Sequence, residues 1–102
     1  MIVRIWEAKV IPGQVGEFCT LLATKVMPQL VGLDGFLGGE LLRAVPDSSH
    51  RVLVVTRWRD EEALRGYAGP MWAIRPVWSD SDISHLEHPP EVSHFGVVTT
   101  AP

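Results

Sequence analysis

Apolar residues at every second position open the chain. Ile2, Trp6, Ala8 and Val10 fall on one face of an extended segment over residues 2–11, with Val3, Ile5 and Ile11 on the other. Pro12-Gly13 interrupts it. Val15, Phe18, Cys19, Leu22, Val26 and Leu30 then recur at the spacing of a helix with one apolar stripe. Pro28 predicts a kink or an early end, because its ring removes an N–H and crowds the preceding turn. Gly32 and Asp34-Gly35 stop the helix.

A second strand is predicted over residues 36–45, with a bulge or close backbone approach at Gly38-Gly39. Pro46-Asp47-Ser48-Ser49 makes a polar turn, and the clearest strand follows over residues 51–59, built on Val52-Leu53-Val54-Val55-Thr56. Asp60 is a good N-cap, and Glu61 and Glu62 suit the positive end of the helix that carries Ala63, Leu64 and Tyr67. Gly69-Pro70 ends that helix. Residues 71–77 read as a helical turn disrupted at Pro76, residues 79–91 as a polar surface loop, and residues 92–99 as a last strand.

The order is strand, helix, strand, strand, helix, strand over a single domain, residues 1–102. Right-handed crossovers turn this βαββαβ order into an α+β, ferredoxin-like antiparallel sheet with both helices on one face. The first and third strands are apolar on both sides, whereas a half-exposed sheet should alternate. A second copy of the same sheet is the economical cover, so a homodimer through the open sheet face is expected.

Composition narrows the function classes. The 102 residues are 46% hydrophobic and 21% charged, with a formal net charge of −3 and scattered Lys and Arg, which points away from nucleic acid. Cys19 is the only cysteine, so no intramolecular disulfide or thiolate metal cluster can form. Met1 to Trp6 enters a strand directly instead of a signal peptide, and no apolar run is long enough to span a membrane. A cytoplasmic protein with no membrane partner is the expectation.

Several short motifs then converge. Val10-Ile11-Pro12-Gly13 closes the first strand, Gly35-Phe36 is followed by Glu40-Leu41-Leu42-Arg43, and Val54-Val55-Thr56-Arg57-Trp58 precedes the acidic helix start. With Pro90-Glu91-Val92-Ser93-His94-Phe95-Gly96-Val97-Val98 at the end, the chain resembles the antibiotic biosynthesis monooxygenase family of dimeric α+β barrels. The resemblance implies one of two chemistries. Some members oxidise electron-rich polycyclic phenols with oxygen and no cofactor, inside a dry apolar pocket. Others bind and degrade haem through a histidine on the second helix and an asparagine on the first strand. Here those positions are read as Arg75 and Glu7, so haem degradation by that geometry is not expected. The first expectation is a cofactor-independent oxygenase for a small aromatic or quinone-like substrate, in a pocket between helices and sheet. A non-catalytic dimeric ligand-binding or stress-associated protein is the alternative, and haem held by His94 or His85 a third.

Candidate residues follow from this. Glu7, on the face of Val3 and Ile5, is a general base if it meets an apolar cavity, and otherwise pairs with water or Lys9. His94 lies within cross-strand reach of Arg4 or Trp6 and suits proton abstraction from a phenol, or else hydrogen-bonds at the dimer seam. Arg75 lies between Trp72 and Trp78 and can hold an oxyanion, a role also open to Arg4, Arg43 and Arg57. Trp6, Trp58, Tyr67, Trp72 and Trp78 supply flat aromatic walls, with Trp58 the most core-like and Trp72 and Trp78 bracketing a possible lid. His85 and His88 stand beside Asp80, Asp82 and Glu87 at a metal-ligand spacing, but in a proline-edged loop they read as solvated, so no metal is expected. Cys19 reads as core.

Overall fold

A computed structural model describes the backbone of residues 1–102 and all side chains except those of Asp47, Asp80 and Ser81. Four strands form one antiparallel sheet: β1 (Ile2–Lys9), β2 (Phe36–Arg43), β3 (Arg51–Trp58) and β4 (Glu91–Gly96), in the order β2-β3-β1-β4. The expected ferredoxin-like order is therefore present, with β1 central between β3 and β4. Arg4 pairs with Thr56 on one side and His94 on the other; Trp6 pairs with Val54 and Val92.

Helix α1 (Val15–Leu21) lays Val15 and Phe18 on the sheet and runs into a wider π-helical stretch, Leu22–Val26, before the final turn α2 (Met27–Leu30). Pro28 neither ends nor shortens the helix as its chemistry suggests. The wider turn lies just ahead of the residue whose ring and missing N–H do not fit a regular α-turn. Leu30 remains buried at the helix end.

Strand β2 carries the expected irregularity, a register shift between Phe36 and Gly38, and Gly38 has φ of +140°. At Gly39 the constraint is space: a Cβ there would lie 2.8 Å from the carbonyl oxygen of Val55. Helix α3 (Glu61–Ala68) begins where Asp60 accepts from the Ala63 N–H at 2.9 Å and ends at Gly69, φ +87°.

Residues 79–91 fit the sequence reading only in part: residues 87–89 are exposed and irregular, but the stretch before them is ordered and partly buried. Ser79 and Asp82 cap each other reciprocally, with the Ser79 N–H on Asp82 Oδ2 at 2.9 Å, around a short helix α4 (Asp80–Ile83). Beyond it, the Ile11 N–H donates to the His85 carbonyl and the Glu87 N–H to the Lys9 carbonyl, so the segment extends the β1 edge and seals Leu86 into the core. The apolar pair Ile83 and Leu86, three residues apart, was the overlooked signal. The predicted strand ends were also too long: β1 stops at Lys9, β2 at Arg43, β3 at Trp58 and β4 at Gly96.

The main core joins Trp6, Ala8, Val10, Val52 and Val54 to Phe18 and Leu22, and a second cluster packs Trp58 on Ala63 and Leu64. All of this lies on the helix side. No helix is long and apolar enough to cross a membrane, among the described residues.

Candidate ligand-binding cleft

Alternation along β1 turns Arg4 to the same side as Trp6 and Ala8, under the helices, where it is only 3% exposed. Among the described residues, none of its hydrogen bonds goes to a carboxylate. Nη1 donates to the Trp72 carbonyl at 2.9 Å and Nη2 to the Arg75 carbonyl at 2.7 Å. Nη1 also lies 3.0 Å from His94 Nε2. A guanidinium has no acceptor, so His94 accepts with Nε2 and carries its proton on Nδ1. Burial, and then the charge of Arg4, hold the His94 pKa below the ordinary histidine value. Burial likewise lowers the pKa of Arg4, opposed by the nearby Tyr67.

This network fastens the segment after α3. Trp72 sets its ring edge-on to His94 at 4.9 Å, and residues 69–75 form turns through bonds such as Arg75 N–H to the Met71 carbonyl. Arg4 also sits 6.0 Å from the Tyr67 ring centroid, and burial raises the Tyr67 pKa. That hydroxyl stays protonated at neutral pH.

Beside Arg4 a cleft opens between the sheet and the helical segments that cover it. Its inner end is walled by Arg4, Trp6, Leu22, Val54 and Thr56. Its outer part, about 650 Å³, is walled by Leu21, Lys25, Gln29, Leu33, Trp78 and Ser79. Val26, Leu30, Tyr67, Val77 and Asp82 line both parts, so the two adjoin. The walls are mainly apolar, with a few polar groups gathered inside, the usual character of a small-molecule site.

Of the residues singled out from the sequence, Trp6, Tyr67 and Trp78 line this cleft. Trp58 is fully buried beneath it, stacked on Tyr67 at 4.9 Å, with its N–H on Thr56 Oγ1. Trp72 packs on His94 instead. Arg75 contributes its carbonyl, while its Nη1 reaches the Ala68 carbonyl at 3.3 Å. Glu7 departs furthest from expectation. It lies on the opposite face of the sheet, where Arg51 donates to it at 2.8 and 3.2 Å, and Lys9 pairs with Glu87. Glu7, His94 and Arg75 are therefore not brought together around one pocket. A one-residue step along a strand reverses the face, and Glu7 follows Trp6.

His85 Nδ1 meets Gln14 Oε1 at 3.0 Å, and His88 is exposed beside the Pro89 carbonyl. Among the described residues no group of three His, Cys, Asp or Glu side chains could hold a metal, and the side chain of Asp80 lies outside them. Asp82, 6% exposed, and Arg4 were undervalued in the sequence. The Ser-x-x-Asp capping spacing at Ser79 and the placement of Arg4 two residues before Trp6 were the available signals.

A four-stranded antiparallel sheet, helices on one face and a cleft beneath them define a ferredoxin-like α+β protein. The chain belongs to the antibiotic biosynthesis monooxygenase family, which matches residues 1–69. Its fold is shared with a Nitrosomonas europaea protein carrying the same family name (14% identity, 97% of this chain and 100% of that one, TM-score 0.75). It is also shared with the Mycobacterium tuberculosis haem degrader MhuD, solved with two haems in its active site (25% identity, full coverage of both chains, TM-score 0.73). A Bordetella bronchiseptica protein of the same family name aligns at 21% identity over 96% of this chain and 97% of its own, TM-score 0.70. No curated protein matches.

Haem itself does not fit the residues present. No histidine is among the described side chains that line the cleft, and His94 Nε2 is engaged by Arg4.

Proposed function

We propose that this chain is a homodimeric, cytoplasmic oxygenase that holds a small aromatic or quinone-like compound in the helix–sheet cleft and oxidises it with molecular oxygen, without a cofactor. The observation that carries the reading is the buried Arg4 cation at the inner end of a mainly apolar cleft, its hydrogen bonds going to neutral partners among the described residues. Such a cation favours a ligand that binds as an oxyanion, and an acidic phenol that loses its proton becomes electron-rich enough to reduce oxygen. Asp82, a carboxylate on the cleft wall, receives that proton, the role expected, from the sequence, of Glu7 or His94. His94 holds Arg4 in place and acts as a base only after Nε2 is released.

The engagement of His94 and the placement of Glu7 across the sheet favour a second reading, a dimeric binding protein that does not turn its ligand over. Oxygen uptake with a panel of anthrone- and quinol-type compounds separates the two. Turnover above buffer that falls in Asp82→Asn supports the oxygenase. Binding of these compounds with no oxygen uptake leaves the binding protein.

The homodimer is proposed through the open sheet face. Val3, Ile5, Leu53 and Val55 cross its middle, and Leu42 and Phe95 stay 42% and 56% exposed beside them. An apolar strip of this kind on a protein this small calls for a cover.

A further inference from the structure

One buried polar side-chain atom has no partner among the described protein groups: the indole nitrogen of Trp6. Trp6 is 8% exposed, stacks on Phe18 with centroids 6.1 Å apart, and forms part of the inner wall of the cleft. Buried N–H groups without an acceptor are rare, because nothing offsets their loss of water. The inner end measures about 30 Å³, room for a single water-sized group. Thr56, one of two hydroxyls on that wall with Tyr67, accepts from Trp58.

We infer that Trp6 is a ligand-orienting residue whose indole N–H donates to a terminal oxygen of an aromatic compound, with the ring system in the outer cleft. The inference rests on the cleft being the ligand site proposed above and specifies which end of the ligand enters first. The small inner end favours a compact terminal oxygen over a bulky substituent. Charge selects in the same direction, since the Arg4 guanidinium lines the same end and favours an oxygen bearing negative charge. Asp82, in the same wall, does not answer the indole, since the Trp6 nitrogen has no partner among the described residues.

The test uses 1-naphthol as probe and naphthalene as the control without an acceptor, followed in ¹H–¹⁵N spectra of the indole groups. The Trp6 resonance is assigned through its contacts with the Phe18 ring. Both compounds are expected to bind, and only 1-naphthol to move the Trp6 indole proton downfield. Trp6→Phe should weaken 1-naphthol about tenfold and leave naphthalene within about twofold. If both bind and the Trp6 resonance responds to them alike, the N–H is answered by water; the role of Trp6 falls and the cleft reading stands. If neither binds, both fall together. The wild-type spectra decide the matter even if Trp6→Phe does not fold.

Discussion

The two faces of the sheet use the same strands for opposite ends. Under the helices, β1 presents Arg4, Trp6 and Ala8, and the one charge among them is answered by two carbonyls and a neutral imidazole. On the open face, β1 presents Val3, Ile5 and Glu7, and the charges pair conventionally, Glu7 with Arg51 and Glu40 with Arg57. These open-face charges are paired within the chain, beside an apolar strip that includes the exposed Leu42 and Phe95. The covered face is the reverse: its apolar surface is consumed by the core, and its Arg4 guanidinium is held by backbone carbonyls in place of a carboxylate. On the reading proposed above, the open face takes a second copy and the covered face a ligand.

The largest effect is expected from breaking the open face. Leu53→Lys places a cation in the middle of the apolar strip, where a second sheet would bury it, and a buried unpaired charge costs several kcal/mol. Light scattering at micromolar concentration should change from dimer to monomer, with the circular dichroism of the fold retained. A wild-type monomer, or a variant that stays dimeric, would remove the open face as the interface.

The covered face is expected to respond next. Arg4→Met keeps much of the apolar stem but leaves the Trp72 and Arg75 carbonyls without their donor. Each lost charge-assisted bond matters, and urea denaturation should show a loss of about 2–4 kcal/mol. Its counterpart Arg51→Met removes an exposed pair and should change stability far less. Equal losses from the two substitutions would contradict the contrast between the faces.

This contrast was half legible in the sequence. The strand order, the two-sided apolar strands, the Asp60 cap and the glycine irregularity in β2 all follow from local chemistry that tertiary packing did not override. The site was harder to read because its members come from β1, α3 and the segment after it, and only the register decides which side chains meet. The reach of His94 to Arg4 was readable once β4 was set beside β1. The use of the Arg75 carbonyl in place of its guanidinium was not, since nothing in residue type specifies which atom of a residue a distant strand will engage. Glu7 was misplaced for a different reason. Its neighbours Val3 and Ile5 are apolar, and apolar company predicts burial without saying against what.

The smallest effect is the pH response of the covered face, and its sign follows from His94. Burial and the Arg4 charge hold its folded pKa below the ordinary 6.5, so the unfolded chain binds the proton more readily. The contribution of a neutral His94 is therefore fully present above pH 6.5 and is lost as pH falls from there through the lowered folded value. Protonation also sets a second cation 3.0 Å from Arg4 Nη1, against Trp72, and so weakens the clasp on residues 72–75. Thermal melting of the wild type should fall between pH 7 and pH 5 more steeply than that of His94→Gln, whose amide oxygen can accept from Arg4 without titrating. Glu7 and Arg51 offer the matching control, because Glu7→Gln removes a charge from the open face alone. If Glu7→Gln flattened the acid limb as much as His94→Gln did, the acid sensitivity would not belong to the covered face.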